Sequence, residues 1–176
     1  MLYDLGSHLI DQALTLFGQP QWIWADMINQ RPTAQIDDYF HIVMGYDEKR
    51  VVLHASSMAR SCQPRFILHG SKGSFIKYGI DPQEQSLREG KRLKTRNWGK
   101  EKKATFGTLI TTEGKHRVPS VAGNYAQFYQ SVLNAILNHE PPPITCKEAL
   151  LTIYTIELAK KSASNRQVLP FGSFQY

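Results

Sequence analysis

Residues 38–58 read DYFHIVMGYDEKRVVLHASSM. In an extended chain successive side chains point to opposite faces, so Phe40, Ile42, Met44 and Tyr46 share one side and Tyr39, His41 and Val43 the other. Asp47-Glu48-Lys49 supplies a turn and Arg50 to Met58 a second strand, so the stretch predicts a β-hairpin. Both sides carry apolar or aromatic groups, a pattern foreign to a sheet with one face in water. Helices can cover one face. The other is expected to pack on another domain or on a second copy of the chain, because a broad apolar face left open is an association site.

Outward from the hairpin, strand chemistry recurs at Trp22 to Asn29 (WIWADMIN), separated from it by a polar loop, Gln30 to Gln35, that contains Pro32. Further short strands are expected at Arg65 to His69 and Ser74 to Tyr78, joined at Gly70-Ser71-Lys72-Gly73, and at Thr108 to Thr112 and Lys115 to Val118. Together they imply an open, mostly antiparallel sheet. The opening residues have helical periodicity and stop at Gly18, with Pro20 beyond. A second helical period, Tyr125, Phe128, Val132, Ala135 and Ile136, runs to Asn138 and is ended by Pro141-Pro142-Pro143. Thr145 and Glu148 form a capping-box pattern before a last helix whose buried stripe is expected to be Ala149, Ile153, Ile156 and Ala159. The order helix, strands, helix, helix is that of an α+β domain, not of an alternating βαβ unit, and residues 1–176 are read as one domain.

With 176 residues, 41% apolar and 20% charged, the chain has globular proportions. It carries neither an apolar run long enough to span a bilayer nor a signal peptide, so the expected location is cytoplasmic, without membrane partners. Cys62 and Cys146 stand in no metal or disulfide spacing and are read as free thiols. Between Arg88 and Lys103, eight basic residues face only Glu89 and Glu101, a surplus that accounts for the whole formal charge of +6. With Trp98 as its lone aromatic and no nucleic-acid motif, the run reads as a solvated, mobile loop and not as a nucleic-acid site. GxGxxG, GxxxxGK[ST] and GxSxG are all absent, and Gly70 and Gly73 lie between strands, so no dinucleotide cradle, phosphate loop or serine nucleophile is read from this chain.

The chemically capable residues are in the opening stretch, MLYDLGSHLIDQALTLFG. Asp4, His8 and Asp11 stand at i, i+4 and i+7, one stripe of a helix, opposite Leu2, Leu5, Leu9, Ala13 and Leu16. Three uses are open. Two carboxylates and an imidazole could begin a metal site, although no ligands from other elements can be named. Asp4 could orient His8 for acid/base work on a substrate hydroxyl. Or the stripe could be a solvated face favouring the helix dipole.

Tyr3-Asp4-Leu5-Gly6-Ser7-His8-Leu9-Ile10-Asp11 resembles the DxGxHxxD signature near the start of the C-terminal domain of the Gfo/Idh/MocA oxidoreductases. Leu68-His69-Gly70-Ser71-Lys72-Gly73-Ser74 is similar to that family's hairpin. Gly123-Asn124-Tyr125 with Phe128-Tyr129 is similar to its next helix start, and Ala149 to Ser162 to its final helix. The resemblance implies the C-terminal, substrate-binding and dimerising part of an NAD(P)-dependent dehydrogenase of sugars, polyols or related compounds. It implies catalytic roles for Asp4 and His8, substrate contacts for Asp11, Asn124 and Tyr125, and homo-oligomerisation through the outer face of the sheet. The Rossmann domain and the EKP-type catalytic Lys would precede residue 1, and no residue here is assigned to a cofactor or a metal. The expectation is that this chain alone is inactive, with Met1 an interior methionine of a longer enzyme. The rival expectation is a non-enzymatic self-association or binding module derived from that domain.

Overall fold

The computed structural model of the chain describes residues 1–91 and 98–172. In chain order, a π-turn (Leu2–Gly6) leads into α1 (Ser7–Phe17), followed by β1 (Trp22–Ile28), β2 (Tyr39–Gly45) and β3 (Arg50–Ser56). Next come β4 (Phe66–Gly70), β5 (Gly73–Lys77), α2 (Pro82–Arg88), a 3-10 turn (Lys103–Thr105), β6 (Gly107–Thr111) and β7 (Gly114–Val118). The chain continues through α3 (Tyr125–Asn138), α4 (Cys146–Asn165) and β8 (Leu169–Pro170). It is an α+β fold. The strands form two antiparallel sheets, ordered β3-β2-β1-β8 and β4-β5-β6-β7, where one had been expected. The division falls between β3 and β4, where the chain passes through residues 57–65 with Pro64, which has no N–H to donate to a ladder. The chain accordingly gathers into two compact units, Met1–Arg60 with Ile144–Tyr176, and Ser61–Pro143.

In the first unit the hairpin closes in the expected register, with Ile42 opposite Leu53 and Val43 opposite Val52. Phe40, Ile42 and Met44 are fully buried on the inner face of β2, and Tyr46 nearly so. They pack with Ile23 and Ala25 of β1, Leu2, Ile10 and Ala13 from the N-terminal helix, and Ile156 and Ala159 of α4. Each large apolar side chain so buried contributes about 1.5–3 kcal/mol. Gly45 is required by its register partner: a Cβ there would fall 1.9 Å from the Trp22 ring.

The final helix corrects its expected stripe. Ile153 is 47% exposed and Ala149 is exposed, whereas Thr152, Thr155, Ile156, Ala159 and Ser162 are buried. Hydroxyls explain it. Thr152 and Thr155 donate to the Glu148 and Leu151 carbonyls, 3.3 and 2.8 Å away, and Ser162 donates to the Gln167 carbonyl at 2.6 Å while accepting from the Ala25 N–H at 3.0 Å. A polar residue that satisfies itself locally can be buried at small cost.

In the second unit β4 to β7 form a meander, and α2, which the sequence reading did not anticipate, begins at an Asp81 N-cap with Pro82 at its first position. The basic run is partly placed: Arg92, Lys94 and Arg96 lie outside the described residues. Its flanks are tied into the fold, Arg88 to Glu84 at 2.5 Å and the Trp98 indole to Gln83 at 2.7 Å. Among the described residues no helix is long and apolar enough to cross a membrane.

Candidate functional site

The helix bearing Asp4, His8 and Asp11 is built from its first turn. Asp37 Oδ2 accepts the Leu2 N–H at 2.7 Å and pairs with the terminal amine at 3.1 Å, occupying donors that a helix start leaves free. The next turn is wide: the Gly6 N–H reaches back to the Met1 carbonyl at 3.4 Å, five residues away. Leu2, Gly6, Ile10 and Ala13, three or four residues apart, form the buried stripe. This corrects the expected one, since Leu5 and Leu16 are exposed. π-Turns are concentrated at functional sites.

Asp4, His8 and Asp11 are all exposed, as their spacing implies. Among the described residues no hydrogen bond or ion pair engages their side chains, so the Asp4 carboxylate does not orient the His8 ring in this structure. Tyr3, beside them, is anchored away from this stripe. Its hydroxyl donates to Glu157 and accepts from Lys160 Nζ at 2.9 Å, with that ammonium 4.8 Å from the ring centre. The Tyr3 hydroxyl is the main reason that the Glu157 carboxyl is held below its ordinary value and the Lys160 ammonium above its own. The first turn is thus pinned to α4 while Asp4 and His8 stay available.

Asn124 and Tyr125 stand in the second unit at the start of α3. The Tyr125 N–H donates to Gln83 Oε1 at 2.9 Å, and its hydroxyl is raised above its ordinary value by desolvation and then by the charges of Asp81 and Glu84. Two positioning residues escaped the sequence reading. Asp37 lies in a loop with no motif around it; Gln83 was signalled only by the Asp81-Pro82 helix start. Gly70 and Gly73 face each other across the β4–β5 turn, the geometry of a hairpin and not of a dinucleotide cradle. Among the described residues no group of three His, Cys, Asp or Glu side chains is arranged to hold a metal.

The outer face of the first sheet carries Trp24, Tyr39, His41, Val43, Val52 and His54. His41 and His54 are register partners with ring centres 5.6 Å apart. Trp24 and Tyr39 meet these rings edge-on at 6.3 and 5.2 Å.

Comparison with known proteins agrees with this architecture. A family model described as "Oxidoreductase family, C-terminal alpha/beta domain" matches residues 1–171. The chain is 40% identical over 171 residues to the uncharacterized oxidoreductase YdgJ of Escherichia coli, covering 95% of this chain and 49% of that protein. It is 37% identical over 172 residues to the scyllo-inositol 2-dehydrogenase (NADP(+)) IolW of Bacillus subtilis, covering 96% and 48%. Among solved structures it superposes on yvaA of Bacillus subtilis, described only as a candidate oxidoreductase, with a TM-score of 0.92 at 36% identity, covering 97% of this chain and 51% of that one. The chain therefore spans about half the length of the curated relatives it matches.

Proposed function

This chain belongs to the Gfo/Idh/MocA oxidoreductase family, as its C-terminal alpha/beta domain, and from that premise we propose that it is the substrate-binding and dimerising half of an NAD(P)-dependent dehydrogenase of sugars, polyols or related compounds. The observation that carries the reading is the exposed, uncommitted pair Asp4 and His8 on a helix whose first turn is pinned by Asp37, Tyr3 and Lys160. Functional side chains left without protein partners are open to a ligand, and the inositol dehydrogenase among the relatives supports a polyol as its class.

In this reading His8 takes the proton from the substrate hydroxyl undergoing oxidation, a task suited to an imidazole, whose ring nitrogens both accept and donate protons. Asp4 accepts a hydrogen bond from a substrate hydroxyl and supports the positive charge that His8 gains. Asp11, one turn on, contributes a further substrate contact. The residues present do not fit a nicotinamide cofactor: the chain has no glycine fingerprint, so no step through it is assigned to these side chains. The isolated chain is inactive in this account because binding and orientation of the hydride donor come from elsewhere.

Isothermal titration of the purified chain with NADPH tests this division of labour. The expected result is no heat of binding at micromolar concentrations and no turnover of scyllo-inositol with NADP; binding or turnover by the chain alone would refute it. A second copy of the chain is proposed to cover the Trp24, Tyr39, Val43 and Val52 face.

A further inference from the structure

His41 and His54 stand opposite each other on the outer face of the first sheet, His41 half-buried and His54 exposed. Their ring centres are 5.6 Å apart and their planes are tilted by 54°. Asp26 of β1 is the register partner of His41 on its other side, so one row across three strands reads Asp26, His41, His54. The side chains around this row, Trp24, Tyr39, Val43 and Val52, carry no positive charge. Arg50, four residues before His54 on β3, is held at its own end of the strand, its guanidinium 4.9 Å from the centre of the Trp22 ring and donating to the Tyr46 and Lys49 carbonyls. Two imidazoles and a carboxylate in such surroundings suit a cation.

The His54 ring is already oriented. Its Nδ1 lies 3.1 Å from the Phe40 carbonyl oxygen. A carbonyl only accepts, so Nδ1 carries the hydrogen, and the Nε2 lone pair points away from that carbonyl. Metal-ligating histidines are fixed by this kind of bond from the nitrogen that does not touch the metal. With metal–nitrogen bonds of about 2.0–2.1 Å, two imidazole rings on one tetrahedral ion have their centres about 5.2 Å apart. The separation of His41 and His54 is close to that.

A pair is half of a set. Structural zinc takes four ligands, and among the described residues no third His, Cys, Asp or Glu joins these two in an arrangement that could hold a metal. Symmetry supplies the other half: a two-fold interface presents the same patch from both copies, so a pair beside the axis occurs twice. Sheets packed face to face lie about 10 Å apart. Their midplane is then about 5 Å from each, within reach of an imidazole and one metal–nitrogen bond.

We propose that His41 and His54 form half of a zinc site, completed by the same pair of a second copy of this chain. The site rests on the second-copy packing proposed above and adds the ion that links the copies.

The test uses the whole chain, freed of metal with EDTA and dialysed, with zinc chloride as the probe. Light scattering across a dilution series is expected to show the dimer dissociation constant falling at least tenfold when zinc is added, and isothermal titration to saturate at one ion per two chains. H41Q and H54Q are each expected to abolish the zinc effect, whereas H69Q, on β4 of the second unit, retains it within twofold. If H41Q does not fold, H54Q, at the exposed position, is read in its place. One ion per chain, or a zinc effect that survives both H41Q and H54Q, overturns the proposal. A dimer whose dissociation constant zinc does not change overturns it too while leaving the second-copy reading intact. A chain that stays monomeric with EDTA and with zinc overturns both.

Discussion

Asp38 and Asp4 are two carboxylates in opposite situations. Asp38 is 2% exposed and accepts from the Gln30 N–H at 2.6 Å, the Arg31 N–H at 3.2 Å and Arg31 Nε at 2.8 Å. The Arg31 side-chain hydrogen bond, followed by the Gln30 N–H, holds the Asp38 carboxyl down at about 2. A carboxyl lowered in the folded state contributes stability that is fully present above its unfolded value near 4 and is lost as pH falls toward 2. Acid unfolding followed by circular dichroism between those limits is therefore expected to be shallower in D38N, which is also less stable at neutral pH. An unchanged acid slope would remove Asp38 from the account. Gln83 is equally committed, and Q83M strands the Trp98 and Tyr125 donors and the Asp81 carboxylate. A loss of about 2–3 kcal/mol is expected in urea unfolding, as for other buried groups left unpaired; a loss within error of zero contradicts the buried hub. Asp4 has no such obligations, and that freedom is what a ligand requires.

At the scale of elements, α4 has a reciprocal capping box: Thr145 Oγ1 accepts the Glu148 N–H at 3.2 Å, and Glu148 Oε2 accepts the Thr145 N–H at 2.7 Å. T145A should cost about 1 kcal/mol and accelerate hydrogen exchange in the first turn alone; exchange unchanged there would mean that the box does not hold the helix start. This element also shows what could be read in advance. The Thr145 and Glu148 spacing, the Gly18 stop of α1 and the alternation of Phe40, Ile42 and Met44 are local, and each appears in the structure where local chemistry placed it. The buried faces of α1 and α4 were not legible. In α1 apolar residues stand on more than one side, so Leu5 and Leu16 compete with Ile10 and Ala13 for the buried stripe, and the self-satisfied hydroxyls of Thr152, Thr155 and Ser162 disguise the face of α4 as polar. The separation into two sheets depends on long-range pairing that alternation cannot express, and β8 is only two residues long. For the site, Asp4, His8 and Asp11 were legible as an exposed stripe, whereas Asp37 and Gln83 act through contacts 35 and 42 residues away in sequence and left no periodic trace.

At the scale of the whole molecule, the outer face of the first sheet and the polyol chemistry make separate claims. Val52 is 54% exposed in the middle of that face, opposite Val43. Light scattering is expected to find a dimer at micromolar concentrations. V52D should shift it to monomer, because a carboxylate buried without a partner opposes association; a monomeric parent, or a V52D dimer of unchanged affinity, contradicts second-copy packing there. The central claim, that Asp4 and His8 form the catalytic half contributed by this chain, is tested most directly by supplying the other half. The N-terminal half of IolW, joined ahead of this chain, is assayed for scyllo-inositol-dependent formation of NADPH. The account predicts turnover in the folded chimera and a fall in kcat of at least about 100-fold with H8A, the loss typical of a general acid/base. A folded chimera that binds NADPH yet does not turn over, or one whose kcat is indifferent to His8, would contradict it.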